Sequence, residues 1–292
     1  MMRMDKIALQ ALEMAAQVRR TAGIEGAAPL CIYDLVERCF GEEIDLRFQP
    51  LNSLEGMYSR QRDGSGIIIV SSVRPGGRRR YTCAHELGHH LFKHQVSLDE
   101  LVEERRDQHV DSREFLVDLF AGYLLMPKLG VLRAARERSI DLTNPSAEDI
   151  YRLACYFGVG YSTLLTHASR SLQILPTYAA QRLDRVSPQN IRENFLGKST
   201  QGELIIVDPA WGPFRPIDAV VGDHVVLPQW ATVEGHGLAH AGDVAAGEVY
   251  VAVSPGVGRV ESEGSWSAFV RVERANYRGM GRFRNLEEDD DE

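Results

Sequence analysis

The pentapeptide His85-Glu86-Leu87-Gly88-His89 constrains this chain more than any other stretch. Two histidines four residues apart on a helix are separated by just over one turn, a rise of about 6 Å, so both imidazoles leave one face and can reach a single metal ion. Glu86 sits beside them, placed to approach a water activated by that ion. Tyr81, Ala84, Leu87, Gly88 and Leu91 give the helix an apolar, small-residue face. Its centre is therefore expected to be buried, and buried histidines need the polar partners that coordination supplies. His85 and His89 are the candidate metal ligands and Glu86 the candidate general base.

A catalytic metal site usually has three protein ligands and an open position. An extended motif would place glycine at 92 and histidine at 95, but Phe92 and Gln95 stand there. His90 and His94 are expected on the helix surface. The better source is the apolar helix predicted over Ser112–Met126, stopped by Pro127. On it Glu114 and Asp118 are four apart and share a face, which Gly122 continues. Carboxylates on such a helix are costly unless they meet a metal, a partner or water. Glu114 is read as the third ligand and Asp118 as the partner of a ligand histidine's free N–H. The residues leave open an exchange of these roles, and a solvated edge for Glu114. One Zn2+ per chain is expected, although two histidines and a carboxylate also hold Mn2+ or Fe. The implied chemistry is metal-assisted amide hydrolysis, with His109 and several tyrosines as candidate oxyanion donors.

Elsewhere the reading is coarser. Met4, Ile7, Ala8, Ala11 and Leu12 fall at helical spacing, interrupted by Asp5, Lys6 and Glu13. This predicts an amphipathic helix rather than a signal sequence. A second helix is expected around Ile32–Phe40. Leu54–Arg60 and Ile67–Val73 read as a hairpin about the turn RDGSG, able to pair with an extended substrate by strand addition. Ser97–Asp111 reads as a charged loop. Leu129–Arg138 is a further helix, and Ser146 with Asp149 forms a capping box for the next. After residue 172 short β-type runs appear at Glu203–Val207, Ala219–Leu227, Glu248–Val253 and Ala268–Val272, before an acidic tail at 287–292. The domains expected are 1–129, 130–172 and 173–292.

The formal net charge of −8 argues against a broad nucleic-acid surface. Cys31, Cys39, Cys83 and Cys155 form no regular framework, which suits a reducing compartment. No run of about 20 apolar residues is evident, so no membrane span is expected and the cytoplasm is the expected location.

RRRYTCAHELGHHLFKH followed by EFLVDLFAGYLLMP resembles the ImmA/IrrE metallopeptidase family. Arg80, Tyr81, Thr82, Ala84, His85, Glu86, Leu87, Gly88 and His89 match its first block. Glu114, Asp118, Phe120, Ala121, Leu124, Leu125, Met126 and Pro127 match its second, with Val117 where alanine is usual. The resemblance implies an α+β multi-domain protein with a zincin, gluzincin-like peptidase domain. It also implies a helix-turn-helix-like segment and a GAF-like α/β sensor-type domain. It implies cleavage of a helix-turn-helix transcriptional repressor that releases stress-response genes.

Two rival classes have their own residues. AEDIYRLACYFGVGYSTLLTHASRSL places Ala154, Gly158 and Val159 as a helix-turn-helix would, so a DNA-binding regulator with a structural metal is the alternative. Its recognition helix, Tyr161–Ser171, offers only Arg170 as a permanent cation, which counts against direct DNA binding. Trp211, Trp230 and Trp266 could line a pocket for a small-molecule signal in the C-terminal domain, and His224, His236 and His240 read as surface or loop residues.

Overall fold

The computed structural model describes residues 2–100, 111–212, 215–262 and 266–286. His109, the charged loop at 101–110 and the acidic tail at 287–292 lie outside the described residues.

Helix α1 (Met2–Thr21) buries Ala11, Ala15 and Val18 along one stripe and leaves Leu9 and Leu12 exposed. Helix α2 (Ile32–Phe40) buries Ile32, Tyr33, Leu35 and Val36. Strand β1 (Ile44–Gln49) follows where no strand was expected, although Ile44, Leu46 and Phe48 alternate with Asp45, Arg47 and Gln49 and point inward. Strands β2 (Leu54–Arg60) and β3 (Gly66–Ser71) form the expected hairpin. Its turn is tied by the Asp63 carboxylate, which accepts from the Ser65 N–H at 3.0 Å and hydroxyl at 2.7 Å, while Gly64 adopts φ 92°. Strand β4 (Val96–Glu100) replaces the start of the expected loop and pairs antiparallel with β2. The β2 edge is thus filled, and strand addition at the hairpin itself is closed to a substrate. Among the described strands β4 is the outer one on that side.

Helix α3 (Gly76–Leu91) lies on this sheet and α4 (Ser112–Leu125) lies on α3. Two glycines set the spacing. A Cβ at Gly56 of β2 would come within 2.4 Å of the Thr82 side chain, and one at Gly88 within 3.0 Å of Val117 and Phe120. Residues Ser112–Glu137 have the length and hydropathy to cross a membrane by composition alone, but they are mostly buried in the fold. Pro127 divides them into α4 and α5 (Lys128–Glu137). Arg19, buried on α1, donates to the Leu124 carbonyl at 2.6 Å and so caps the end of α4.

Helix α6 (Ala147–Phe157) carries the capping box of Ser146 and Asp149 and stops at Gly158 in the left-handed conformation. Helix α7 (Tyr161–Thr166) runs into a π-helical turn, His167–Ser171. There His167 packs on Gly122 of α4, where a Cβ would lie 2.5 Å from its Nδ1, and its Nε2–H donates to the Met126 carbonyl. Two helices that the sequence reading passed over come next, α8 (Thr177–Leu183) and α9 (Pro188–Leu196). The strand-rich part begins only at Leu204.

That part builds two four-stranded sheets. One has the order β5 (Leu204–Ile206), β7 (His224–Leu227), β10 (Gly247–Ala252), β9 (Leu238–Val244). The other has β6 (Ile217–Val220), β12 (Trp266–Glu273), β11 (Gly256–Ser262), β8 (Ala231–Glu234). The expected run Ala219–Leu227 is two strands in different sheets, turned at Gly222. His224, expected at the surface, is buried and bonded to Thr200. Trp211 and Trp266 are core residues, whereas Trp230 is 77% exposed.

The chain then returns. Strand β13 (Gly279–Met280) pairs antiparallel with β1, giving the first sheet the order β13-β1-β3-β2-β4. Ion pairs reinforce this return: Arg271 to Asp34 of α2 at 2.9 Å, Arg284 to Asp34 at 3.2 Å, and Arg79 of α3 to Glu273 of β12 at 2.5 Å. Arg79 and Glu273 are both buried. Removing one partner of a buried pair strands the other charge, whereas replacing both with apolar residues does not. Glu273→Ala should therefore lower stability by roughly 3–5 kcal/mol, and Arg79→Met with Glu273→Leu should recover most of it, as read by urea unfolding. Equal losses in both variants would place the cost elsewhere.

Burial lowers the pKa of His167 to about 4, against a weaker opposing effect of its bond to Met126. Between that value and its ordinary pKa near 6.5 the unfolded chain takes up a proton that the folded chain refuses. Its contribution to stability is therefore full above about pH 6.5 and falls as pH drops toward 4, by up to about 3 kcal/mol. His167→Gln, which keeps the donor to Met126, should flatten the stability profile in that window. An unchanged slope would show that His167 takes its proton in the folded state.

Candidate metal centre

Helix α3 places His85, Glu86 and His89 on its buried length, and the close approach at Gly88 brings α4 alongside. Glu114 stands in the first turn of α4, whose N-cap Asp111 accepts from the Arg113 N–H at 2.9 Å. The result is a triangle. His85 Nε2 lies 3.1 Å from His89 Nε2, and the Glu114 carboxylate oxygens lie 3.3 Å from the first and 3.6 Å from the second. One ligand atom from each of the three falls within 4.8 Å of the others. Both histidine side chains are 2% exposed and Glu114 is 36% exposed, so the triangle is closed on the helix side and opens past the carboxylate.

The outer nitrogens are also held. His85 Nδ1 donates to the Asp118 carboxylate at 2.8 Å, and the Tyr81 hydroxyl donates to the Asp118 carbonyl at 2.9 Å. His89 Nδ1 lies 2.8 Å from His94 Nδ1. With the proton on Nδ1 of both His85 and His89, both Nε2 lone pairs turn to one point, the role second-layer partners play around metals. His94 thus does for His89 what Asp118 does for His85. The sequence reading had placed His94 and His90 on the surface. His94 is carried to the site because the helix ends at Leu91 and the chain curls back, with Lys93 at φ 61°. His90 is buried, its Nδ1 3.1 Å from the Tyr58 hydroxyl and its Nε2 3.4 Å from Glu43, and it fastens α3 to the sheet.

Electrostatics favour a cation at the centre. Burial alone would lower the pKa of His85, but hydrogen bonds to Asp118 and Glu114 outweigh it and raise the value to about 10. Burial leaves His89 below its ordinary value. Hydrogen bonds from His85 and His89 hold the Glu114 carboxyl far below the usual carboxylate range. The carboxylates that favour a proton on His85 favour any cation among the three groups, and two imidazoles with one carboxylate form a donor set suited to Zn2+ and related divalent ions. Glu86 is fully buried one residue away, against the β2 wall at Gly56, where a Cβ would lie 3.3 Å from its Oε1.

Fold and cluster together define a helix pair on a mixed sheet built around a two-histidine, one-carboxylate cation site. The sequence profile of the IrrE N-terminal-like domain matches residues 41–169. Over that stretch the chain is similar to the ImmA/IrrE metallopeptidases. The chain is 29% identical over 90 residues to the radiation response metalloprotease IrrE of Deinococcus radiodurans, covering 29% of this chain and 26% of that protein. It is 35% identical over 89 residues to the radiation response metalloprotease IrrE of Deinococcus deserti, covering 29% and 30%. The matches thus span less than a third of each relative. A Mycobacterium tuberculosis transcriptional regulator superposes with a TM-score of 0.36 at 19% identity, over 56% of this chain and 46% of that one.

The geometry separates the carboxylates. Removing a direct ligand takes away a bond, whereas removing an outer partner costs about 10–100-fold in affinity or activity. Glu114→Ala should therefore weaken divalent-metal binding well beyond either Asp118→Ala or His94→Ala, and those two should resemble each other. Metal titration of the three variants checks this order. A larger loss for Asp118→Ala would exchange the two carboxylates, and no loss for His94→Ala would remove its role.

Proposed function

We propose that this chain is a zinc-dependent, site-specific endopeptidase. The observation that carries the reading is the convergence of His85, His89 and Glu114 with Glu86 beside them. His85 and His89 would hold the ion through Nε2 and Glu114 through its carboxylate, with Asp118 and His94 fixing the rings. The chemistry such an ion would supply when bound is polarisation of a scissile carbonyl and a water pKa lowered toward about 7. Glu86 would take a proton from the attacking water and deliver it to the leaving amine. Its burial keeps the carboxylate away from bulk water and aimed by the β2 wall.

The proposed substrate is a cytoplasmic helix-turn-helix transcriptional repressor, whose cleavage induces a radiation or DNA-damage response. Support comes from the kinship of residues 41–169 with radiation response metalloproteases. The edge of β4 that no described strand pairs suits an extended substrate segment. The helix-turn-helix-like unit serves packing in this reading. The Cβ position of Gly77 in α3 lies 2.6 Å from the Gly160 nitrogen, so the unit's turn is pressed against the active helix, and α7 buries Tyr161, Leu164 and Leu165. The GAF-like role, sensing a signal or holding the substrate, falls to the paired C-terminal sheets.

Glu86→Gln should retain stoichiometric zinc and the native melting profile while cleaving the repressor at least about 100-fold more slowly, the scale of general acid–base catalysis. A cleavage time course with metal analysis decides it. Wild-type turnover by the variant would refute the assigned base, and failure of the unaltered enzyme on the repressor would refute the substrate.

A further inference from the structure

A cavity of about 1020 Å3 lies where α2, the first turn of α3, the α6–α7 turn and strands β6 and β12 meet. None of His85, His89 and Glu114 lines it. Most of its charged walls are neutralised from within. Arg79 pairs with Glu273 at 2.5 Å, Arg271 with Asp218 at 2.5 Å and with Asp34 at 2.9 Å, and Arg192 with Glu203 at 3.2 Å.

Arg215 is different. Among the described residues no carboxylate lies within ion-pair distance of it, and its Nη1 is buried without a hydrogen-bond partner. Its guanidinium carbon sits 4.0 Å from the Trp211 ring centre and 4.4 Å from that of Tyr156. Ring faces satisfy the plane of a guanidinium but not its N–H edge. The hydroxyl of Tyr33, in the same cavity wall, is also buried without a partner. Burial lowers the Arg215 pKa to about 9, with the positive charges of Arg138 and Arg80 adding to the fall and Tyr156 and Asp218 opposing it. Arg215 as a residue is half-buried, but a guanidinium N–H enclosed without a partner is costly.

We propose that this cavity binds a small organic anion, a molecule whose carboxylate or phosphate is taken by the free edge of Arg215. The guanidinium fork matches either group. The volume is that of a site for a molecule of cofactor size rather than a lone ion, and the Tyr33 hydroxyl is a second donor. The site stands independently of the peptidase reading. Its wall includes Gly76–Arg80, the first turn of the helix that carries His85, so an occupant would touch that helix directly.

The test uses the full chain, calorimetry and thermal melting, with benzoate and AMP as organic carboxylate and phosphate, adenosine as the neutral control, and inorganic phosphate as the bare anion. Benzoate or AMP should bind and raise the melting temperature, and which of them does so identifies the group. Adenosine should not bind, and inorganic phosphate should bind more weakly than the organic anion. Arg215→Met should reduce affinity at least tenfold yet melt no lower than the unaltered protein without ligand, because it removes an enclosed donor that has no partner. Arg215→Lys should retain part of the affinity. The proposal is overturned if neither organic anion binds at millimolar concentration. It is overturned equally if binding is unchanged in Arg215→Met, which would place the anion at the metal cluster. Loss of both binding and melting temperature in the methionine and lysine variants alike would show that Arg215 only packs between its rings.

Discussion

Two imidazole nitrogens 3.1 Å apart, with a carboxylate completing the triangle, form an arrangement that demands a cation. Lone pairs repel at that distance unless a proton or metal lies between them, and burial removes the water that would otherwise screen them. Much of the surrounding fold serves to hold this arrangement. Gly88 lets α4 approach, Gly56 lets β2 approach, and His90 fastens the helix to Tyr58 from behind. Asp118 and His94 then fix the two rings from outside, so that both inner nitrogens face the same point.

The site is also braced from far along the chain. Helix α3 is anchored at its start by the buried pair of Arg79 with Glu273, and α2 by Asp34 with Arg271 and Arg284. Strand β13 closes the opposite edge of the same sheet. The C-terminal strands are therefore structural neighbours of the metal-centre half, and the charge-lined cavity between them is a product of that contact.

How much of this could be read from sequence depended on how local the signal was. The spacing of His85 and His89 and the four-residue step from Glu114 to Asp118 are periodicities within single helices, and they brought forward residues that the structure gathers into one cluster. The capping box at Ser146 and the RDGSG turn are equally local. His94 was misplaced because its position depends on a chain reversal after Leu91, with Lys93 at positive φ, that a helical wheel does not show. Strand β1 was legible in the alternation of Ile44, Leu46 and Phe48 and was passed over. Helix α9 carried Ser187 as cap, Pro188 in its first turn and Gly197 beyond its end. Strands β8, β9 and β11 were not legible. β9 exposes most of its residues, β8 has few buried positions, and glycines interrupt both β9 and β11. Strand β13 and the Arg79–Glu273 pair join residues some 200 apart, which no local pattern encodes.

The central claim is that His85, His89 and Glu114 jointly hold one divalent ion. X-ray absorption at the zinc edge, on the full chain loaded with one equivalent, tests it most directly. The first shell should be nitrogen and oxygen at about 2.0–2.2 Å with the multiple-scattering pattern of two imidazoles. Sulfur scattering near about 2.3 Å, or a spectrum showing fewer than two imidazoles, would contradict it.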